Sequence, residues 1–406
     1  MKIDFSPPFI NSEIIREVND VLLSGWITTG AKTKELEDLI AKLYSIESCL
    51  GVSSWTAGAI MFLKWWGVKE GDEVIIPSYT YAATALAVLH VGAKPIMLDV
   101  DSDFNLATNM IREHINERTK VIMPVDIAGR MADYGEIFNI VNDPIIQSVF
   151  KSGSVRQEKL GRILVLADAA HSIGAKRDNI FSGAYADITI FSLHAVKNIT
   201  AGEGGIICLN LPKPFDNKKL YTDLKRFSLN GQTKDAFAKS RGGSWEYDIV
   251  EQGFKCNMAD LNAALALGQL KIYDQLLEER NRVYSRYVKN LKDLDWTILP
   301  EEMKLGSVSS NHIFMLRVKD TMITRNLLIK YSAENEISLN VHFKPLQELE
   351  LFKKYRKNTV YINSKSLYEQ EISLPIYPQL SNDEVDYITD VLVEGMRLIK
   401  SGVYVD

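Results

Sequence analysis

Lys197 and Asp168 are the residue types from which a carbonyl-handling site can be built. Lys197 stands in Ala186-Asp-Ile-Thr-Ile-Phe-Ser-Leu-His-Ala-Val-Lys-Asn-Ile-Thr-Ala-Gly-Glu-Gly-Gly205. There an apolar strand (Ile188, Ile190) runs into a polar loop bearing Ser192, His194 and the lysine. A Gly-rich turn and a second apolar strand, Ile206-Ile-Cys-Leu209, follow. A lysine on a short loop between two core strands is held in place, and burial lowers its ammonium pKa toward reactivity. Such an amine can form a Schiff base with a carbonyl compound. Most lysines are surface charges, and a hairpin connection is an ordinary place for one, so the upstream residues decide between the two.

Asp168 closes Arg162-Ile-Leu-Val-Leu-Ala-Asp168 and leads into Ala-Ala-His171-Ser. The continuous apolar run reads as a strand buried on both faces, ending in a carboxylate at the edge where parallel sheets place their sites. By itself such an aspartate can equally cap the next helix. Pyridoxal phosphate (PLP) chemistry needs both an acid that keeps the pyridine nitrogen protonated and a lysine that holds the aldehyde, and Asp168 and Lys197 fit those roles.

Around this pair, short apolar strands alternate with helical stretches. The strand Cys49-Leu-Gly-Val52 passes through Ser53-Ser-Trp-Thr-Ala-Gly58 into an apolar helix. A helix N-terminus can seat a phosphate without a basic side chain; Ser53 or Ser54 can also be a plain N-cap. Gly71-Asp-Glu-Val-Ile-Ile-Pro77 is a strand followed by Tyr79 and Tyr81, either of which can be a core residue. Pro95–Val100 and Lys120–Val125 add two further strands, and the alternation predicts an α/β fold with a mostly parallel sheet. Upstream, a Pro7-Pro8 arm leads to a helix with Ile14, Ile15, Val18, Val21 and Leu22 on one face, stopped by Gly25. The loop Trp26-Ile-Thr-Thr-Gly30 precedes a helix with Leu36, Leu39, Ile40 and Leu43.

Residues 142–161 read as an inserted basic surface loop, a neutral decoration. Residues 213–252 are polar and glycine-containing, with a mobile segment after Gly231. A long helix with Leu261, Leu265, Ile272 and Leu276 leads into a smaller α+β C-terminal domain, with strands at 312–318, 337–343 and 372–377. The division is 1–265 and 266–406. His342 is either a core histidine or a contact at the domain cleft.

Asp168-Ala-Ala-His171, Ser192-Leu-His-Ala-Val-Lys197 and Gly202-Glu-Gly-Gly205, in this order, resemble the signature of DegT-type PLP-dependent nucleotide-sugar aminotransferases. The likeness extends from about Phe9 to Tyr387. Within the family it is strongest to the UDP-4-amino-4-deoxy-L-arabinose aminotransferases, through Gly25–Gly30, Ser53–Gly58 and His194–Thr200. The resemblance implies PLP-dependent fold type I, the aspartate aminotransferase fold. It implies Lys197 and Asp168 as catalytic residues, Tyr81 stacked on the ring, and His171 near its phenolic edge. Thr56, Ala57 and Ser192 would take the cofactor phosphate, joined by Lys255 of a second subunit, where many members have Asn. The homodimer would thus share its sites. The loop with Trp26 and Thr28 would reach the site, and His194 and His342 are candidate substrate contacts, His194 alternatively a loop organiser. The implied reaction passes an amino group from L-glutamate to a nucleotide-linked 4-keto sugar, with PLP alternating with its amine form PMP, for surface polysaccharide. Amination at C3 and a catalytically silent regulator are the alternatives. Sugar dehydratases of the same fold resemble the family with histidine at the lysine position, and Lys197 is present.

Composition limits the partners. With 406 residues the chain can build two cores, and 46% hydrophobic and 24% charged residues are ordinary for a globular protein. A net charge of -5 offers no basic field for nucleic acid or anionic lipid. Three separated cysteines, Cys49, Cys208 and Cys256, make neither a disulfide framework nor a metal site. The N-terminus lacks a signal-peptide pattern, and no apolar run is long enough to span a membrane, so a cytoplasmic protein is expected.

Overall fold

A computed structural model describes residues 1–234, 246–356 and 360–405. Seven strands form one sheet: β1 (Ser48–Val52), β2 (Glu73–Pro77), β3 (Lys94–Leu98), β4 (Thr119–Ile122), β5 (Leu164–Asp168), β8 (Ile188–Ser192) and β9 (Gly205–Leu209). A two-residue hairpin, β6 (Lys176–Arg177) and β7 (Ile180–Phe181), lies between β5 and β8 in the chain. The spatial order is β1-β9-β8-β5-β4-β2-β3. All neighbouring pairs are parallel except those that β9 makes with β1 and β8, so β9 alone runs against the rest. Such a sheet must be covered on both faces, and every residue of β2, β5, β8 and β9 is buried. One face packs against the helix Trp55–Trp66, whose Phe62, Trp65 and Trp66 fill the space over β1, β5 and β8. The other carries Leu36, Ile40, Leu267 and Tyr273 at one end and Ile137, Ile140 and Val141 at the other.

A second sheet, β10 (Thr297–Ile298), β11 (Phe314–Val318) and β12 (Glu371–Leu374), is antiparallel. It packs with the helices Tyr273–Leu291, Met322–Glu334 and Asn382–Lys400 around Tyr287, Phe314, Leu328 and Leu392. Ile3 of the N-terminal arm is buried in this core through a bridge to Ile337. The arm is therefore anchored in the core of the small sheet, and the following residues Phe5 and Ser6 reach His342 and the Val196 carbonyl.

Two local expectations change. Residues 142–161 are not a bare loop but two short helices, Pro144–Val149 and Val155–Leu160, started by the caps Asp143 and Ser154 and ended by Gly161 at φ 73°. Ser154 and Gln157 donate to the carbonyl of Trp66, and the Arg156 guanidinium lies 3.9 Å from the Trp65 ring centre. The insertion thus closes the C-terminus of the helix Trp55–Trp66. Residues 337–343 form no strand, because only Ile337 and Asn340 find single-residue bridges, to Ile3 and Ser373. Part of the segment expected to be mobile, 235–245, lies outside the described residues.

Candidate active site

Asp168 sits at the C-terminal end of β5, its backbone paired with Pro124, Asp126 and the Ile190 region of β8. Its carboxylate accepts from Thr84 Oγ1 at 2.7 Å and from the Ala170 amide at 3.3 Å. Thr84 lies in the first turn of the helix Ala82–His90, and its hydroxyl is also 2.9 Å from that of Thr80. Burial pushes the Asp168 carboxyl up to about 7, against the two hydrogen bonds and the Lys197 charge; Asp126 adds to the rise. Lys197 stands on the loop between β8 and β9, where its amide donates to the His194 carbonyl. Burial draws its ammonium down to about 8, and Asp168 opposes that fall. Both groups titrate close to neutral pH, where proton-transfer groups work best.

These two line a cavity of about 500 Å³ in the cleft between the two sheets. Its floor is built from the ends of β5 and β8 and the start of the helix Trp55–Trp66. Ser54 caps that helix by accepting from the Ala57 amide at 3.1 Å, and its carbonyl takes the Gly58 amide. The amides of Trp55 and Thr56 have no partner among the described residues. Two open donors at a helix N-terminus are an anion seat. Gly205 makes the approach possible: a Cβ there would lie 2.8 Å from both Ser54 C and Trp55 N.

Four histidines line the same cavity, and burial pushes three of them, His171, His312 and His342, below the ordinary imidazole range, His342 to about 3. These three are neutral at working pH. His171 Nδ1 accepts from the amide of Ala128, a residue held at a left-handed φ of 55°. Its proton therefore resides on Nε2. His312 Nδ1 donates to Asn198 Oδ1 at 2.8 Å, because Asn198 Nδ2 is committed to the Ser310 carbonyl. Asn198 directly follows Lys197, which ties the lysine loop to the Ser310–His312 segment that leads into β11. His342 Nδ1 is 2.8 Å from Ser373 Oγ, and Phe5 stacks over its ring at 5.4 Å.

Thr56, Tyr81, Asp168, His171, Ser192, His194, Lys197 and His342 all line the cavity, so sequence reasoning placed these eight together. Tyr81 is at the mouth, 63% exposed, its ring 5.8 Å from Phe343. His194 is on the rim, its Nε2 3.7 Å from Glu203. Ala57 does not line the cavity, and its amide serves the cap. Trp26, Thr28 and Lys255 are also outside the cavity of their own chain. Trp26 Nε1 donates to the Thr29 carbonyl, Thr28 receives the Asp260 amide, and exposed Lys255 donates to Asn257. Asp260 accepts from the amides of Gly30, Lys32 and Thr33, which sews the 26–30 loop to the 255–260 segment. Sequence reasoning missed Thr84, Asn198, His312, Phe343 and the arm residues Phe5 and Ser6. Thr84, Asn198 and Phe343 stand within three residues of ones that it did select, whereas His312, Phe5 and Ser6 carried no such signal.

The strand order and the lysine–aspartate cleft define a PLP-dependent enzyme of fold type I. The chain belongs to the DegT/DnrJ/EryC1/StrS aminotransferase family, whose profile matches residues 8–148 and 156–393, so the stretch outside it is 149–155, the junction of the two short helices, and not the whole of 142–161 as expected. The putative sugar aminotransferase Spr1654 of Streptococcus pneumoniae, solved in its PMP form, superposes with a TM-score of 0.93 at 39% identity, covering 98% of this chain and 100% of that one. The same protein in its PLP form gives 0.93 at 37%, again over 98% and 100%. The spore coat polysaccharide biosynthesis protein SpsC of Bacillus subtilis is 31% identical over 405 residues, 98% of this chain and 97% of its own. The chain is thus similar to sugar aminotransferases, and its cofactor is PLP. No helix among the described residues is long and apolar enough to cross a membrane.

Proposed function

We propose that this enzyme transfers an amino group from L-glutamate to C4 of a nucleotide-linked 4-keto sugar, for a surface polysaccharide. The observation that carries the reading is the single cavity in which Lys197, Asp168 and an open helix N-terminus meet three neutral histidines. When bound, PLP supplies an aldehyde and a pyridinium electron sink. Asp168, held by Thr84 and Ala170, would supply the carboxylate for the pyridinium, and burial raises its pKa even beside the Lys197 charge, so a second cation would favour its ionised form. Lys197 Nζ would hold the aldehyde and would serve as the base and acid that move a proton at the donor's α-carbon. Its depressed pKa keeps a sizeable neutral fraction near pH 7 to 8. The amides of Trp55 and Thr56, with the hydroxyls of Thr56 and Ser192, take the phosphate. Tyr81 at the mouth would stack on the ring, and His171, whose proton is on Nε2, would donate to the cofactor's phenolic oxygen.

His342, with Phe5 over it, forms the sugar wall, and the SpsC likeness supports a polysaccharide sugar as acceptor. Trp26, Thr28 and Lys255 serve the cavity of a second copy. Their joint placement on one sewn surface away from their own cavity supports a dimer with shared sites. The three cysteines are free and buried, which fits a cytoplasmic enzyme. The test is to incubate purified holoenzyme with L-glutamate and a panel of UDP-, dTDP- and GDP-linked 4-keto and 3-keto sugars, and to read the products by mass spectrometry. Amination of a 4-keto sugar is expected. Turnover confined to 3-keto sugars, or to a donor other than glutamate, would overturn the assignment.

A further inference from the structure

Behind His342, on the side away from the cavity, the polar chain continues inward. Ser373 Oγ bridges His342 Nδ1 at 2.8 Å to Glu371 Oε1, while Glu371 Oε2 accepts the His342 amide at 2.9 Å. Ser373 and Glu371 are fully buried on β12. His342 Nε2, on the opposite side of the ring, has no hydrogen-bond partner among the described residues, and the side chain lines the cavity. A carboxyl, a hydroxyl and an imidazole thus form one unbroken relay that ends at the substrate wall. Nothing in the proposed transfer mechanism uses Glu371 or Ser373.

We propose that Glu371 and Ser373 are positioning residues that set the tautomer of His342, and thereby whether the cavity wall offers the sugar a hydrogen-bond donor or an acceptor. The logic is that of a single-file relay. Because Oε2 receives the His342 amide, a proton on Glu371 resides on Oε1 and is donated to Ser373 Oγ. Ser373 then donates to His342 Nδ1, and the ring proton stands on Nε2, facing the cavity. When Glu371 is ionised every donor reverses: Ser373 donates to Oε1, His342 Nδ1–H donates to Ser373, and Nε2 offers a lone pair. No charge moves onto the imidazole in either state, consistent with its burial.

The groups around Glu371 bear on which state is populated. Arg325, on the helix Met322–Glu334, donates to the Glu371 carbonyl at 2.8 Å, and its charge favours ionisation of the Glu371 carboxyl. Its guanidinium lies over the Tyr368 ring, and burial raises the phenol of nearby Tyr79 so that it stays neutral. Arg317, opposite Glu371 in the β11–β12 register, has its guanidinium pKa lowered by burial and raised by the Glu301 charge, and no ion pair to Glu371 is found among the described residues. Burial outweighs Arg325, Ser373 and the His342 amide and pushes the Glu371 carboxyl up to about 8. The donor form of His342 therefore prevails at neutral pH, and the acceptor form above about pH 8.

The identity of the ligand as a sugar rests on the proposed function, but the relay can be tested without it. The chain has six histidines, so the spectrum of ¹⁵N-histidine-labelled holoenzyme is assignable by single substitutions, His342→Gln among them. On titration from below to above about pH 8, His342 should change from the Nε2–H to the Nδ1–H tautomer without becoming imidazolium. Glu371→Gln, whose amide donates to Ser373 and whose carbonyl still accepts the His342 amide, should hold the Nε2–H form throughout. In Ser373→Ala the pH response should vanish. With whichever acceptor the panel identifies, the wild-type KM should rise through the same pH interval, and Glu371→Gln should abolish that rise. One unchanging His342 tautomer in the wild type, or the same pH response in Glu371→Gln, would overturn the proposal. Failure of the acceptor panel alone would overturn the function and leave the tautomer result to decide the relay.

Discussion

Replacing Asp168 by Asn should stabilise the cofactor-free protein at alkaline pH while abolishing its activity. Burial raises the Asp168 carboxyl from its ordinary 3.8 to about 7, so between these values the folded apoprotein binds a proton that the unfolded chain has released. Stability contributed by the neutral acid is present below the unfolded pKa and is lost as pH rises through the folded one. At about 1.4 kcal/mol per pH unit, the full loss approaches about 4 kcal/mol, an upper limit because the site is open to cavity water. Asparagine carries no charge and has nearly the same shape. The Thr84 hydroxyl can turn to accept from the new amide and donate to Thr80. Glu37, Asp126 and Glu371 are also raised by burial, but they are common to both proteins and cancel in the comparison. Urea unfolding of the two apoproteins should give similar midpoints near pH 4, and a higher midpoint for Asp168→Asn near pH 9. Adding PLP should reverse the order, since only the wild type gains a pyridinium–carboxylate pair, and transamination should fall by several orders of magnitude. Equal midpoints at alkaline pH would refute the buried-charge argument, and near-normal turnover would move the pyridine partner elsewhere.

Two further outcomes follow from the geometry. Gly205→Ala forces a Cβ to within 2.8 Å of the Ser54–Trp55 backbone, so it should displace the anion seat. It should weaken PLP binding at least about tenfold and cost about 1 to 3 kcal/mol of stability, read by fluorescence titration and urea unfolding; unchanged affinity would place the phosphate elsewhere. Inactive Lys255→Ala and Lys197→Ala proteins, when mixed and allowed to exchange subunits, should recover activity, because one site of the heterodimer combines both intact residues. Absence of rescue, or a monomer by light scattering, would refute shared sites.

Much of this site was legible because its carriers end strongly patterned strands. The runs before Asp168 and Ser192 are apolar on both faces, so their polar termini stand out and mark the sheet edge. Thr84 was not legible, since a hydroxyl in a first helical turn has the same sequence signature whether it caps the helix or binds a carboxylate. Glu371 was missed for the opposite reason. It is a single charge at the margin of an apolar strand, and only the fold shows that it turns inward to Ser373 and His342. The inserted helices had readable starts, Asp143-Pro144 and Ser154, and an end, Gly161, but the loop-like composition of 142–161 outweighed them. The alternating pattern at 337–343 suggested a strand, yet alternation describes burial on one side and does not supply a pairing partner.

The most direct test of the account is to find which lysine holds the cofactor. Holoenzyme reduced with borohydride, digested and mapped by mass spectrometry should carry the pyridoxyl group on the peptide containing Lys197, and Lys197→Ala should carry none. A reduced cofactor on any other lysine, or turnover of Lys197→Ala at the parent rate, would contradict it.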